Sequence, residues 1–255
     1  SNPDINPCTG CTTSAAGAGA AADIVIFVSA VEGTDCSGST LAYAATCMRD
    51  QNDRLIFGYA NFCPSSLDAA TSAWPMQLST AIHEFFHALG FSDGSWPLFR
   101  HADGTPMTPR EADGLPAQVT AVCYDGSSRS DVLSVSNDTI VVGTARGTTV
   151  TRIVTPRVRS VARDIFGCSS LSGAEIENQP TSATGDTCHG SHWDQRLFMN
   201  DFMAPVASHG PVYSPLSLAL MEVQSSRSSP HHCLLSPPLT FSRLLSPPLA
   251  SSHLL

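Results

Sequence analysis

The chain has 255 residues, 42% of them hydrophobic, which suffices for one large domain or two small ones with a sizeable core. Its formal net charge of −9 argues against nucleic acid as the main partner, because a phosphate backbone favours a basic protein face. Nine cysteines favour an oxidising compartment with disulfides, and no apolar run reaches the roughly 18 residues of a membrane span.

The first part of the chain contains candidate strands. The apolar, β-branched run from Asp23 to Glu32 predicts a largely buried strand, and Leu55–Phe62 predicts another. Between them, the periodicity of Thr40–Asp50 does not distinguish a short helix from a strand.

A helix is predicted from Trp74 to Leu89. Pro75 suits the first turn of a helix, and Gly90 is placed to end it. An apolar stripe follows helical spacing along the segment, and its members are Leu78, Ile82, Phe85, Phe86 and Leu89.

The middle of the chain is less regular. Residues 92–123 are rich in Gly, Pro and Asp and show little periodicity, and short β-type runs follow at 139–143 and 148–154. Pro156–Phe166 predicts a second helix, because a proline opens it and Gly167 follows its end.

The last part of the chain changes in character. Ordered segments are expected at 197–203 and 216–221. The sequence Leu-Leu-Ser-Pro-Pro-Leu then occurs twice, and paired prolines preclude a helix or a central strand. Residues 223–255 are therefore predicted to be a disordered Ser/Pro/Leu-rich tail.

The most informative local pattern is HEFFHALGF, at the end of the first predicted helix. His83 and His87 are four residues apart, so both imidazoles lie on one face of the helix and can converge on one ion. Glu84 is rotated by about 100° from His83, so it can reach a water on that ion without binding the ion. This spacing is typical of zinc hydrolases. The alternative is an ordinary helix whose polar residues face solvent.

A catalytic zinc needs three protein ligands and one open position. The extended form of this motif, H-E-x-x-H-x-x-G-x-x-H, would place the third histidine at residue 93, which is aspartate here. Either Asp93 itself binds the metal, or the third ligand is a histidine far downstream. His101, His189 and His209 lie in loop-like sequence and are expected to be solvated; His189 is the closest competitor of His192, which lies three residues further on.

The segment that begins at Ser191 contains His192 and, further on, Met203-Ala204-Pro205. Together with HEFFHALGFS, this arrangement resembles the leishmanolysin family of metzincin peptidases, in which a long insertion precedes the third ligand and a methionine turn follows it. The resemblance covers about residues 20–222. Further segments similar to the family are ADIVIFVSAV, LAYAATCMRDQ, GYANFCP, VTPRVRSVARDIFGC and GAEIENQ.

The resemblance implies a role for each matching residue. The matches to the zinc ligands are His83, His87 and His192, with one zinc ion per chain. Glu84 matches the general base, Met203 the methionine of the turn, and Gly90 the glycine at which the chain leaves the helix.

The implied function is that of a zinc-dependent metalloendopeptidase. A zinc-activated water would hydrolyse peptide bonds in protein or peptide substrates, and a link to cell adhesion is typical of the family. The alternative is a catalytically inactive or unstable metalloprotease-like fragment that binds zinc or a partner. The implied location is extracellular or at the cell surface, although the opening Ser1-Asn2-Pro3 shows no signal peptide.

The implied fold is α+β, with a mixed twisted sheet and the zinc helix in an upper subdomain and a small lower subdomain with the Met-turn. The catalytic domain would occupy 1–222, divided into the upper subdomain (20–93), an insertion (94–190) and a segment with the third ligand, the Met-turn and a helix (191–222). Expected disulfides are Cys36 with Cys63, and Cys47 with Cys8 or Cys11, whereas Cys168 is expected to lack a partner.

Overall fold

The computed structural model describes residues 21–123, 126–145, 147–178 and 188–224. Within these ranges the chain forms eight strands and three α-helices, so the protein is of the α+β class. Most of residues 223–255, the predicted tail, and residues 1–20 lie outside the described ranges.

The first sheet has three strands, β1 (Val25–Ser29), β2 (Ala42–Arg49) and β3 (Leu55–Phe62), in the order β1-β3-β2. Strand β1 is parallel to β3 and β2 is antiparallel to it, so the sheet is mixed. The ambiguous segment at 40–50 is therefore a strand.

The prediction that β1 is largely buried is wrong. Phe27 and Val28 are 57% and 58% exposed, because β1 is an edge strand that pairs only with β3 among the described residues. Phe27 finds its contact on the same face of the sheet, where its ring stacks on that of Phe57.

Helix α1 (Trp74–Ala88) packs against β2 and β3. The packing is close because β3 carries Gly58 opposite the C-terminal end of the helix. A Cβ atom on Gly58 would lie 3.1 Å from both the Cβ and the carbonyl oxygen of Ala88. The Thr46 hydroxyl also donates a hydrogen bond of 3.4 Å to that carbonyl, so the helix end is fixed against the sheet.

The apolar stripe of α1 is less buried than its spacing suggests. Leu78 is 42% exposed, and Ile82 and Phe86 are only partly buried against the core. The most buried side chains of the helix are instead Ser79, Glu84, His87 and Ala88. The polar motif thus lies on the most buried face of α1, although Ile82 and Phe86 also pack against the core.

Residues 92–123, which show little periodicity, and the ten residues after them contain structure that the sequence pattern did not indicate. A short 3-10 segment at Asp93–Leu98 follows α1 and buries Trp96 completely. Strands β4 (Gln118–Val122) and β5 (Ser128–Leu133) then form an antiparallel hairpin.

The third sheet consists of β6 (Ile140–Ala145), β7 (Thr148–Ile153) and β8 (Ala174–Ile176), all antiparallel. Strands β6 and β7 correspond to the two predicted β-type runs. Strand β8 has only three residues and pairs with β7 on one side, and Ile176 forms an isolated bridge to Trp193 on the other.

Helix α2 (Pro156–Phe166) has the predicted bounds and ends at Gly167, whose φ is 59°. It packs against α3 (Pro215–Gln224), which continues two residues beyond the predicted domain boundary at 222. The main core joins residues between Phe91 and Val223, that is, from the part of the chain after α1. Its fully buried members are Phe91, Trp96, Ile153, Val158, Ala162, Trp193, Met203, Leu216 and Leu220.

Two disulfides join described residues, Cys36–Cys63 and Cys123–Cys188. The first was expected. Cys47 and Cys168 carry free thiols, and the proposed partners of Cys47, Cys8 and Cys11, lie outside the described residues. In the part of the chain that is described, no helix has the length and apolar character needed to cross a membrane.

Candidate metal centre

The C-terminal end of α1 positions His83 and His87. Gly90 has a φ of 104°, a conformation that glycine adopts without steric cost. The N–H groups of Gly90 and Phe91 donate to the carbonyls of His87 and Phe86, both at 2.9 Å, which is the hydrogen-bond pattern of a Schellman ending. The chain therefore turns back at once, and the Phe91 carbonyl comes within 2.5 Å of Nδ1 of His87.

His83 is held by a different part of the chain. Its Nδ1 lies 2.6 Å from the carbonyl oxygen of Phe202. Phe202 belongs to a tight turn, closed by a hydrogen bond from the Ala204 N–H to the Asp201 carbonyl. Met203 lies in this turn and is completely buried.

His192 comes from the segment that pairs with the end of β8. Its backbone carbonyl accepts a hydrogen bond of 2.9 Å from the Glu177 N–H, and the Trp193 N–H donates to the Met203 carbonyl at 3.0 Å. The His192 ring is in turn fixed by Glu177, whose Oε1 lies 2.7 Å from Nδ1.

The three imidazoles meet at their Nε2 atoms. The distances are 3.0 Å between His83 and His87, 3.1 Å between His87 and His192, and 3.2 Å between His83 and His192. Because a carbonyl oxygen can only accept, Nδ1 of His83 and of His87 carries the proton, and a neutral ring then has a bare lone pair at Nε2. Glu177 favours the same tautomer in His192.

Three lone pairs at such short distances repel one another unless a cation lies between them. The group His83, His87 and His192 could therefore hold a metal ion, and neutral imidazole nitrogens with protonated second nitrogens are common metal ligands.

The electrostatics of the site follow from its burial. Burial and the neighbouring His192 ring lower the pKa of His83 to about 4, and burial and the other two rings lower the pKa of His87 well below its usual value. Burial alone raises the pKa of Glu84 to about 8. For Glu177, burial acts to raise the pKa, but hydrogen bonds from His192 and Ser191 outweigh it and the pKa is lowered.

The imidazoles open onto a cleft of about 1010 Å³, at the upper end of the range for ligand sites. One wall is strand β2, an edge strand of the first sheet. Helix α1 contributes Glu84 along with the two histidines, and the segment 204–208 after the Met203 turn also lines the cleft.

The sequence model of the leishmanolysin family matches residues 11–114 and 126–224. The chain belongs to the leishmanolysin family.

Curated leishmanolysin relatives agree with this assignment. The chain is 37% identical to the leishmanolysin-like peptidase of Caenorhabditis elegans over 205 residues, which are 78% of this chain and 30% of that protein. It is 38% identical to the leishmanolysin-like peptidase of Drosophila melanogaster, over 79% of this chain and 29% of that protein. A more distant match is the ciliated left-right organizer metallopeptidase of Mus musculus, at 28% identity over 79% of this chain and 25% of that protein. The chain thus spans about 30% or less of the length of these relatives.

Two other residues that were considered as ligands are not part of the three-histidine group of this leishmanolysin-family chain. Asp93 also lines the cleft, but its carboxylate accepts a hydrogen bond of 3.2 Å from the Ser191 hydroxyl and is not a member of the three-histidine group. His189 is half-buried rather than solvated as expected, and this burial lowers its pKa to about 4.

Sequence reasoning missed two acidic residues that support the histidines. Glu177 was noted only within a family-like segment, and no local motif marks it as a partner of His192. Asp201 accepts hydrogen bonds of 2.8 Å from the Met203 N–H and from the Ser217 hydroxyl, which links the Met203 turn to α3. No signal in the sequence singles out Glu177, because β8 has only three residues and cannot be predicted from them alone.

Proposed function

We propose that the chain is the catalytic part of a zinc-dependent metalloendopeptidase, with His83, His87 and His192 as the zinc ligands. The observation that carries the proposal is the convergence of three Nε2 atoms whose rings are each oriented by an acceptor at Nδ1. Catalytic zinc sites use three protein ligands and keep a fourth position open.

The distances support zinc. Imidazole nitrogens bind zinc at about 2.1 Å, and two such ligands in a tetrahedral arrangement are about 3.4 Å apart. The three Nε2 atoms are 3.0 to 3.2 Å apart, so movements of a few tenths of an ångström suffice. When bound, zinc would lower the pKa of a water molecule and polarise the scissile carbonyl group.

Glu84 is the proposed general base. It follows His83 on α1, is 6% exposed and lines the same cleft. In the metal-free chain, burial raises its pKa to about 8, and a zinc ion beside it would lower that pKa towards neutrality, where a general base is most efficient. Glu84 would take the proton of the attacking water and then deliver it to the leaving amine.

A peptide substrate has a natural place along β2. An edge strand offers backbone N–H and C=O groups to an extended peptide, and residues of β2 line the cleft over its whole length. The substrate backbone would then run past Glu84 and the histidines. Within this proposal, Met203 is a buried apolar support for the His83 and His192 segments, Asp93 is not a ligand, and residues 191–222 act as the lower subdomain of a metzincin.

The disulfides bear on the location of the protein. The disulfides Cys36–Cys63 and Cys123–Cys188 fit an extracellular or cell-surface protein, since disulfides persist in oxidising compartments. A link to cell adhesion rests on the family resemblance alone.

The test is cleavage of a casein-type substrate by wild type, Glu84→Gln and Glu111→Gln, each with and without a chelator. Glu111 is exposed and lies outside the cleft, so it is a matched control for the loss of a carboxylate. Wild type and Glu111→Gln should cleave, and the chelator should stop cleavage until zinc is added back. Glu84→Gln should lose at least about 100-fold in rate, the usual contribution of a general base, and should keep its zinc.

Two results would count against the proposal. Cleavage by Glu84→Gln at the wild-type rate would show that Glu84 is not the base. Zinc binding by wild type without any cleavage would favour the alternative of an inactive zinc-binding module.

A further inference from the structure

The three histidines of the proposed zinc site are oriented by unequal partners. His83 and His87 each donate from Nδ1 to a neutral backbone carbonyl, of Phe202 and Phe91. His192 alone donates to a carboxylate, that of Glu177, at 2.7 Å. The Glu177 residue is 5% exposed, so its charge acts on the ring with little screening by water.

The surroundings of Glu177 fix its carboxylate in place. The same Oε1 accepts a second hydrogen bond from the Ser191 N–H at 3.1 Å, and the Glu177 N–H donates to the His192 carbonyl at 2.9 Å. Gly190 makes room for the side chain, because a Cβ atom at that position would lie 2.2 Å from Cγ of Glu177 and 2.6 Å from its carbonyl oxygen. The segment 190–192 therefore packs closely against Glu177 and is hydrogen-bonded to it.

His192 needs such a support more than the other two histidines do. His83 and His87 are held at the correct spacing by α1 itself, whereas His192 is 105 residues from His87 along the chain. Its position depends on contacts with β8 and with the loop after α1. Ser191 adds to these contacts, because its hydroxyl accepts from the Asp93 N–H at 3.0 Å and donates to the Asp93 carboxylate at 3.2 Å.

We propose that Glu177 is a positioning residue that orients His192 towards the metal and, through its negative charge, strengthens His192 as a ligand. The proposal rests on the zinc site proposed above. An anionic acceptor at Nδ1 raises the electron density at Nε2, and loss of such a partner typically weakens metal binding by about 10- to 100-fold. Asp93 also holds the segment 190–192 in place, through its two hydrogen bonds with Ser191.

The experiment measures the Zn²⁺ dissociation constant of the full chain by competition with a chromophoric chelator. Glu177→Gln keeps a carbonyl oxygen that can accept from His192 but removes the charge, so binding should weaken by about 10-fold. Glu177→Ala removes both and should weaken binding by about 100-fold. The visible spectrum of the Co²⁺-loaded protein should change more in Glu177→Ala than in Glu177→Gln, because it reports ligand geometry.

Glu175→Gln is the matched control. Glu175 is also buried and lies on β8, but it pairs with Arg152 and Arg196 and makes no hydrogen bond with His192. This variant should lose stability, seen as a lower melting temperature, and keep wild-type zinc affinity. If Glu177 has only a structural role, Glu177→Gln will behave in the same way, which overturns the proposal.

The zinc dissociation constants distinguish a failure of the Glu177 proposal from a failure of the proposed zinc site. If the wild-type chain binds no zinc, the proposed function fails. If wild type binds zinc and Glu177→Gln binds it equally well, only the role of Glu177 is wrong, since the dissociation constant does not depend on peptidase activity.

Discussion

An alanine at position 58 should push the end of α1 away from the first sheet. The new Cβ would lie 3.1 Å from Cβ and from the carbonyl oxygen of Ala88, and 3.3 Å from the carbonyl oxygen of Ala45. Two of these contacts are with backbone atoms, which cannot turn aside as a flexible side chain can. Ala88 directly follows His87, so the displacement also moves a proposed zinc ligand.

The size of the effect follows from two opposing contributions. Overpacking of a well-packed interior costs about 1–3 kcal/mol. Replacing glycine by alanine within a strand stabilises the folded state by about 0.5–1 kcal/mol, because glycine loses more conformational freedom on folding. Gly58→Ala should therefore lower the free energy of unfolding by about 0–2.5 kcal/mol, the difference between these ranges.

Gly143→Ala provides the matched control. Gly143 lies in β6, and a Cβ there would meet only Nη1 of Arg152, at an ordinary distance of 3.6 Å. This variant should be as stable as wild type or more stable, by up to about 1 kcal/mol. Urea unfolding of both variants, with the disulfides intact, measures the difference, and zinc affinity should fall in Gly58→Ala alone.

A second substitution tests whether the contact with Ala88 causes the loss of stability in Gly58→Ala. Ala88→Gly removes the Cβ that Gly58→Ala would crowd, at a helix-propensity cost of about 1 kcal/mol. In the double variant the two losses should be less than additive, by at least about 0.5 kcal/mol. If Gly58→Ala is as stable as Gly143→Ala, or if the losses simply add, the close approach of α1 to β3 does not limit the packing.

Two further predictions concern pH and a disulfide. In protein stripped of metal, Glu84 has a pKa of about 8, so above its unfolded pKa of about 4.3 the folded state keeps a proton that the unfolded chain has lost. The free energy of unfolding should therefore fall between pH 6.5 and 8, by at most about 1.4 kcal/mol per unit, and urea titrations of Glu84→Gln should lack this fall. The lowered pKa of His83, about 4, acts in the opposite sense below pH 6.5 and should lower stability as pH decreases towards 4. Replacing Cys36 and Cys63 with serine removes a disulfide that closes a loop of 27 residues. Urea unfolding should show a loss of about 2–4 kcal/mol in the free energy of unfolding, with zinc affinity unchanged. A loss of zinc affinity would show that the disulfide also shapes the site.

Some elements were predictable because local signals define them. Helix α2 has the bounds Pro156–Phe166 that its opening proline and following glycine indicated. The same signals defined α1, where His83, Glu84 and His87 follow from helical spacing alone. Strand β3 also has its predicted bounds, because a β-branched and aromatic run is bounded by turn residues.

Other features depend on contacts that are distant in sequence. Strand β8 has three residues and is a strand only because β7 and Trp193 flank it. The exposure of Phe27 reflects the edge position of β1, which no local pattern encodes. The most buried face of α1 is polar because the cleft lies there, and an apolar stripe alone could not indicate this.

The residues of the candidate site also fall into these two groups, those that local sequence predicts and those that depend on distant contacts. His192 was chosen through a family resemblance, since 105 residues separate it from His87. Glu177 escaped notice because its role arises only when β8 and the segment 190–192 come together. Ligands on one helix can be predicted from spacing, whereas the residues that orient them require the fold.

The zinc content of the purified chain tests the central claim most directly. Wild type, His192→Ala and Asp93→Ala would be equilibrated with zinc, separated from free metal and analysed for zinc per chain. We expect about one zinc ion per chain in wild type and in Asp93→Ala, because three neutral imidazoles suffice to hold the ion, and a large loss in His192→Ala. Retention of zinc by His192→Ala together with loss from Asp93→Ala would contradict the account.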